Sequence, residues 1–563
     1  MQFIVKTVVG LSIAIFPFIS WSQSSYLPQS NKHQPFLDRL EIMLQRNLEL
    51  NVETTKSLNR LTAVKMSEYA DSLHKAGALQ LSKVDEYNLQ SVLMNNSEWV
   101  TGDRSSFLSR KSVWNTFYKT KANLLEVNEK DFFLAVNPVF QGQISEETDY
   151  NGKRQFLNTK GIAFRGTIAD RLGFSAYLVD NQERGPLFVQ ERIIHDNAVP
   201  GVGFYKRYKQ TGVDYFDARG SINFTAVKKY LDFQFGYDKM FIGNGYRSLF
   251  LSDFGNSYLF LKINTRIWKF DYTNVWMELT PQTIRINAGD KLLDKKYAAI
   301  RHLSLQATPW LNLGLFEAVV FGRKNHFDFT YLNPVIFLRV SEQQNGSADN
   351  ALVGFDFKAN VAKKLQFYGQ WMIDEFVQKE LRAGNGWWGN KFGIQLGGKY
   401  INAFKVNNLD LQGELNLVRP FSYSHYDSTS NYTHYNQPLA HPLGANFVEA
   451  IGIVRYQPIP KLTTSARLIF WKQGVDTGNS NVGTDIFKMN FTRSGDYGYK
   501  LPAGPKSTGL NAQLLVSYEL KENLFVDGSV MVRRLKADVI TERNSNYFTL
   551  GLRLNMNRRE YDY

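Results

Sequence analysis

The chain has 563 residues, a formal net charge of +14, 14% aromatic residues, 41 Gly, 16 Pro and no cysteine. Without cysteine there are no thiolate metal sites, thiol nucleophiles, disulfides or lipidated Cys anchors. The mean hydropathy is mildly negative, which excludes a bundle of transmembrane helices.

Residues 1–22 read as a cleavable export signal: Lys6 is basic, 8–19 is apolar, and Ser20-Trp21-Ser22 supplies the small residues a signal peptidase reads. The apolar run is too short to span a bilayer as a helix. The net positive charge suits anionic neighbours such as lipopolysaccharide phosphates or acidic polysaccharide, and equally a solvated basic surface.

From 35 to about 100 the apolar residues recur with helical spacing. Phe36, Leu37, Leu40, Ile42, Met43, Leu44 and Leu48 form one face, and 54–61, 66–75 and 83–96 continue the pattern. Three or four short amphipathic helices are expected, either as a small separate domain or as a cap lying against or inside a larger body. The expected division is 1–22 signal peptide, 23–128 periplasmic helical plug or cap, and 129–563 β-barrel.

From about Asp131 the period changes to two. Eighteen segments of alternating character begin near Phe132, Ile162, Gly173, Tyr215, Leu231, Tyr258, Lys269, Ala298 and Asn312, then Ala351, Leu365, Lys391, Leu409, Phe447, Leu462, Asn511, Leu524 and Tyr547. Long connections (182–212, 281–296, 322–349, 421–445, 474–507) alternate with tight turns (170–171, 228–229, 308–310, 362–363, 458–460, 521–523). That alternation predicts an all-β transmembrane barrel of about 18 antiparallel strands, with short periplasmic turns and long extracellular loops. A soluble solenoid or propeller is the alternative, but no repeat of fixed period is visible.

Facing follows from alternation. Thr464, Ala466, Leu468 and Phe470 oppose Arg467, and Val526, Val530 and Val532 oppose Asp527 and Arg533. In the last strand Phe548, Leu550, Leu552, Leu554 and Met556 oppose Arg553. Charges on the alternate face are expected in the lumen, and the last strand is expected to close the barrel on 132–141. Gly551, Leu554 and Met556 approximate the terminal signal that barrel-assembly machinery reads.

No catalytic constellation stands out. Asp374 and Glu375 could do acid/base work, but a charged pair at the pore rim or a calcium contact is the expected reading. His425, His434 and His441 lie in one loop, but their spacing matches no zinc pattern, and no metal or cofactor is expected. Tyr423, Tyr426, Tyr432 and Tyr435 in that loop could form a sugar platform, since aromatic faces stack on pyranose rings; such residues also suit any exposed loop. Trp387 and Trp388 read as an interfacial aromatic girdle or as saccharide stackers. Tyr246 and Arg247 lie in a glycine-rich loop at the barrel mouth. The connection 331–350, carrying Arg339 and Glu342, is expected to fold inward as a constriction.

The runs FGYDKMFIGNGYRSLFLSDFGNSYLFLKI, YLNPVIFLRVSEQQNGSADNALVGFDFK and LQFYGQWMIDEF resemble the Wzi family of capsule-assembly outer-membrane proteins, in a Bacteroidota-type branch that includes gliding-motility members. The resemblance implies an eighteen-stranded barrel in the outer membrane, a periplasmic helical plug and a lectin-like hold on surface polysaccharide. It implies no catalysis and no nucleic-acid partner. It carries no sugar-contact residues onto this chain, so the candidates rest on local chemistry. A monomer in contact with lipopolysaccharide and outer-membrane lipid is expected, and a passive porin shares every barrel feature.

Overall fold

The computed structural model describes every residue except 1–24, 29, 46–53, 56–57, 111, 115, 149, 170, 228–229, 284–291, 336, 347, 479 and 540–541. The expected signal 1–22 and the turn 228–229 lie outside the described residues.

Alternating side chains build a wall in which each strand pairs antiparallel with the next. The first nine strands are β1 Phe132–Glu147, β2 Gln155–Ile168, β3 Leu172–Arg184, β4 Gly212–Val227, β5 Leu231–Asp238, β6 Tyr258–Ile267, β7 Phe270–Leu279, β8 Lys296–Thr308 and β9 Leu311–Phe321. The rest are β10 Asn350–Val361, β11 Leu365–Glu375, β12 Lys391–Tyr400, β13 Leu409–Val418, β14 Phe447–Ile459, β15 Leu462–Gly474, β16 Lys506–Lys521, β17 Leu524–Ala537 and β18 Arg543–Leu554. Strand β18 pairs back onto β1 and closes the eighteen-stranded barrel. Closure gives the backbone groups of the first and last strands partners without water, which a bilayer demands.

The closing register differs from the expectation. Strand β18 pairs with 140–147 of β1, from Phe140 opposite Leu554 to Glu147 opposite Tyr547. The lower part of β1 is covered instead by a short lead-in strand, Leu125–Glu129, with Val136 opposite Leu125. Strands of a closed barrel are staggered, so the last strand meets the first higher up. The lead-in strand removes the edge this leaves.

Short turns follow the even strands and longer connections the odd ones, with local departures. The connections 148–154 and 538–542 are short although they follow odd strands, and 401–408 after β12 is longer than either. Facing follows the alternation. Phe548, Leu550, Leu552, Leu468 and Phe470 are exposed on the outer wall, while Arg553, Asp527 and Arg467 turn inward. The Arg553 Nε–H donates to the Asp527 carboxylate at 2.8 Å.

The interior is packed with protein. At the short-turn end lie α1 Gln34–Leu44, α2 Arg60–Lys75 and α3 Lys83–Met94. Asn59 caps α2 by accepting from the amides of Leu61 and Thr62, and a reciprocal Ser82–Asp85 capping box starts α3. Their apolar faces meet at Leu37, Leu40, Val64, Leu89 and Val92. Ion pairs tie them to the wall: Lys358 with Glu41 and Lys399 with Asp38, both at 2.6 Å, and Arg165 with Glu98. The expected helical stretch 54–61 does not form at its start. Thr55 instead bridges in extended form to Ile242, and helix begins at Arg60.

Three further segments enter the lumen. The 239–257 connection after β5 turns inward, and its Ile242, Leu249, Phe250 and Leu251 join an apolar core with Val275, Met277, Ile300 and Phe316. Phe250 and Phe316 stack at 4.3 Å. The 419–446 connection closes over this core. Residues 555–563 climb from the short-turn end: the Asn555 backbone amide donates to the Asn523 carbonyl, and Tyr561 reaches Glu183 at the top of β3.

Candidate functional site

One stretch of wall is incomplete. Strand β4 pairs with β5 only over 220–227, and with the short strand Lys206–Tyr208 over 212–214. Between them, the edge at 215–219 has no ladder partner on that side among the described residues. Strand β5 is too short to follow β4 upward, because the chain leaves at Asp238 for the lumen. The result is a lateral window near the long-loop end enclosing about 470 Å³.

Seven stretches of chain line it. The connection after β3 brings Phe204 and Lys206, β4 brings Tyr215, Phe216 and Asp217, β5 brings Tyr237, and the end of the 239–257 connection and the start of β6 bring Asn256 and Tyr258; Glu278, Lys295, His434 and Tyr435 complete it. Both faces of the wall take part, since Tyr215 and Tyr258 are buried while Phe204, Phe216 and Tyr237 are exposed. Asp217 is held by the Arg219 guanidinium at 2.6 Å, and Glu278 by Lys295 at 2.6 Å. Open aromatic rings beside oriented carboxylates, an amide and an amine can stack on a sugar ring and bond its hydroxyls.

Tyr435 is set by a local ribbon. Thr433–His434 pairs with Gln437–Pro438, and Tyr435 and Asn436 form the tip with φ of 46° and 62°. Positive φ is ordinary for Asn and strained for Tyr. The Tyr435 amide donates to the Thr280 carbonyl at 2.9 Å, which holds the tip against β7. Gly203 (φ 87°) passes so close that a Cβ there would meet the Tyr435 ring at 2.9 Å and the Asn256 amide at 3.0 Å.

His434 locks the ribbon from below. Its Nδ1 accepts from the Thr280 amide and its Nε2–H donates to the Ser257 carbonyl, both at 3.0 Å. Complete burial lowers its pKa to about 4, with Lys296 and Lys295 adding to the effect. The imidazole is therefore neutral and fully used. His441 donates to Glu449 at 2.7 Å, and His425 packs on Tyr426 at 4.2 Å. Among the described residues no three metal-ligating side chains converge.

Of the sugar-binding candidates, only Tyr435 reaches the window. Tyr423 and Tyr432 correct the expectation of a sugar platform: both are buried, stacked at 5.7 Å, with their hydroxyls donating to the carbonyls of Leu249 and Phe250. Tyr426 is exposed and donates to the Ala348 carbonyl. Tyr246 and Arg247 do not sit at the mouth. They are in the lumen, where the Tyr246 hydroxyl and the Arg247 guanidinium hold Asp562. Trp387 and Trp388 are half-buried, and the Arg493 guanidinium lies 3.8 Å above the Trp388 ring.

The charged candidates are likewise engaged. Asp374 and Glu375 both pair with the buried Lys391, at 3.1 and 3.0 Å, and Asp374 accepts from the Tyr423 amide. Arg467 pairs with Glu560 at 2.8 Å, and Arg533 donates to the Tyr563 carbonyl. Arg339 and Glu342 pair at 2.6 Å on the outer side of the wall. This overturns the in-folded reading of 331–350. Tyr331 and Leu338 pack on Trp276, Tyr297, Val319 and Phe321, which alternate with luminal Met277, Ala298 and Val320 and so face outward. Sequence reasoning missed Phe204, Asp217, Asn256 and Glu278, whose segments carry no shared local signal.

No protein-family model matches the chain, and no curated protein matches it in sequence. In fold it is similar to Wzi, an outer membrane protein involved in group 1 capsule assembly in Escherichia coli and a carbohydrate-binding β-barrel. The two are 14% identical, with a TM-score of 0.55 over 95% of this chain and 100% of that one. Pseudomonas aeruginosa OprD aligns at 11% identity and TM-score 0.41, covering 75% of this chain and 94% of that one. Acinetobacter baumannii OccAB2 aligns at 9% identity and TM-score 0.40, covering 75% and 97%. The likeness to Wzi spans nearly the whole of both chains, and by it this protein has the eighteen-stranded fold of an outer-membrane β-barrel.

Proposed function

We propose that this chain is a non-enzymatic outer-membrane barrel that binds or anchors surface polysaccharide, in capsule or exopolysaccharide assembly or in gliding-type adhesion. The observation that carries this reading is the lateral window: a cavity of sugar size, lined by Phe204, Tyr237 and Tyr435 with Asp217, Asn256 and Glu278. The carbohydrate-binding description of the structurally similar Wzi supports it. In this reading the helices α1–α3 lie on the periplasmic side, the barrel is a monomer surrounded by lipopolysaccharide and outer-membrane lipid, and the barrel-assembly machinery inserts it.

A passive porin is the second reading. What favours binding is the occupied interior, where α1–α3, 239–257, 419–446 and 555–563 lie in series along the axis. The engagement of Asp374 and Glu375 by Lys391 also favours binding over hydrolysis. The test is titration of the purified full chain with the host's own exopolysaccharide, beside Asp217→Asn and Phe204→Ala. Saturable binding weakened by both variants supports the window. Binding unchanged by either removes it as the site, and no binding by the intact chain counts against the function.

A further inference from the structure

The 322–349 connection between β9 and β10 lies on the outer wall, and what it covers there is polar. Asn274, Arg301 and Glu317 stand opposite one another across β7, β8 and β9. Their chain neighbours Val275, Ile300 and Phe316 belong to the luminal core, so alternation turns all three outward. The same level continues sideways through Val353 of β10, opposite Glu317, to Ile373 of β11. Val353 is exposed there, and so are Phe355 and Trp371 just below it. The polar row thus lies inside the apolar band that a bilayer covers, where charged groups are costly.

The connection bonds two members of that row. Its Arg339 amide donates to the Glu317 carboxylate at 2.8 Å, and Arg301 donates to the Asn333 carbonyl. The Tyr272 hydroxyl donates to the Pro334 carbonyl at 2.7 Å, and the Trp276 indole to the Tyr331 carbonyl at 2.9 Å. Tyr331 and Leu338 are fully buried against the wall. In 329–337 the opposite side is mainly apolar and bare: Phe329, Val335 and Phe337 are 77%, 85% and 71% exposed, while the exposed polar residues Lys324, Asn325 and His326 and, further on, Gln343 and Gln344 flank this stretch.

We infer that the 329–338 part of this connection is a membrane-embedded lid on the outer wall whose partner is the acyl-chain layer of the bilayer. The occupant is identified by continuity: the bare residues extend the lipid-facing band of β9–β11 at the height of Val353 and Phe355. A loop reaching for a glycan would show polar groups outward at its centre, whereas the large side chains exposed at 329–337 are Phe329, Leu332, Val335 and Phe337 and the backbone of 331–339 is bonded to the wall. Arg339 and Glu342 accordingly serve the lid's own packing. The inference rests on the barrel spanning a bilayer, but not on what the window binds.

The chain has no cysteine, so single cysteines report one position each. Val335→Cys, Leu315→Cys on the outer wall and Ser428→Cys in an exposed loop are labelled with a fluorophore. Each labelled chain is reconstituted in phosphatidylcholine vesicles whose acyl chains carry bromine. Quenching at Val335 within about twofold of Leu315, and at least about fivefold above Ser428, is expected. Quenching of Val335 by aqueous iodide, with bromolipid quenching no greater than at Ser428, would overturn the lid. Efficient cross-linking of Val335→Cys between two chains would overturn it in favour of a second copy. Loss of bromolipid quenching at Leu315 as well would overturn the bilayer reading of the whole barrel, and the lid with it.

Discussion

At the scale of single residues, the window depends on aromatic faces and on one neutral histidine. Phe204 is 55% exposed, so Phe204→Ala is expected to shift the thermal midpoint little. A lost stacking contact of about 0.5–1.5 kcal/mol should weaken polysaccharide binding about two- to tenfold. Calorimetric titration checks this. His434 binds fewer protons when folded than when unfolded between its folded pKa of about 4 and the ordinary 6.5. Its contribution is therefore complete above about pH 6.5 and is lost as pH falls through about 4, amounting to about 3 kcal/mol. Melting in detergent at pH 7 and pH 4.5 should show a fall that His434→Gln reduces, since Gln can still accept from Thr280 and donate to Ser257. Equal falls in both proteins would remove His434 from the account. These residues were hardly legible beforehand. The sequence shows that Tyr435 is a tyrosine among polar neighbours, but its meeting with Phe204 and Asn256 is created by three-dimensional closure alone.

At the scale of elements, one strand shows how far alternation reaches. Leu550 sits mid-strand on β18 and is 56% exposed on the outer wall, so Leu550→Arg should cost about 2–4 kcal/mol in a bilayer and depress assembly. Heat-modifiable migration of the folded barrel measures the assembled fraction. Arg553→Leu is a poor control, because it strands the Asp527 carboxylate that Arg553 holds. Pairing it with Asp527→Asn should restore much of the loss, and no restoration would argue against this ion pair. The same periodicity located all eighteen strands but not their ends. Strand β2 begins at Gln155, ahead of Ile162, because cross-strand pairing with β1 extends it into a polar stretch. The helix expected at 54–61 gives way to a bridge with Ile242 for the same reason: a tertiary partner overrides local propensity.

At the scale of the whole molecule, the lumen is obstructed in series. The extended stretch ahead of α2 meets 239–257 through Thr55 and Ile242, and that connection meets 555–563 through Arg247 and Asp562. The intact chain in a planar bilayer should pass far less current than an open barrel of this strand number. Deleting 555–563 alone should leave it closed, because α1–α3 and 239–257 remain; a steady porin-like current from the intact chain would contradict the sealed lumen.

What the sequence by itself determined is the architecture. Strand number, the inward and outward face of each strand, and the helical segment ahead of the barrel are all written in local spacing, which needs no distant partner to be read. What only the tertiary structure decided is where the connections go. The apolar residues of 239–257 and of 322–349 look alike as strings, yet one set is buried in the lumen and the other lies on the outer wall. The difference comes from which complementary surface closes around each: the apolar inner faces of β7–β9 receive Leu249 and Phe250, and the outward-facing Arg301 and Glu317 bond backbone groups of 322–349. The stagger that carried β18 to the upper part of β1 follows from closing the whole ring, and the short β5 that opened the window from the chain's turn into the lumen after Asp238.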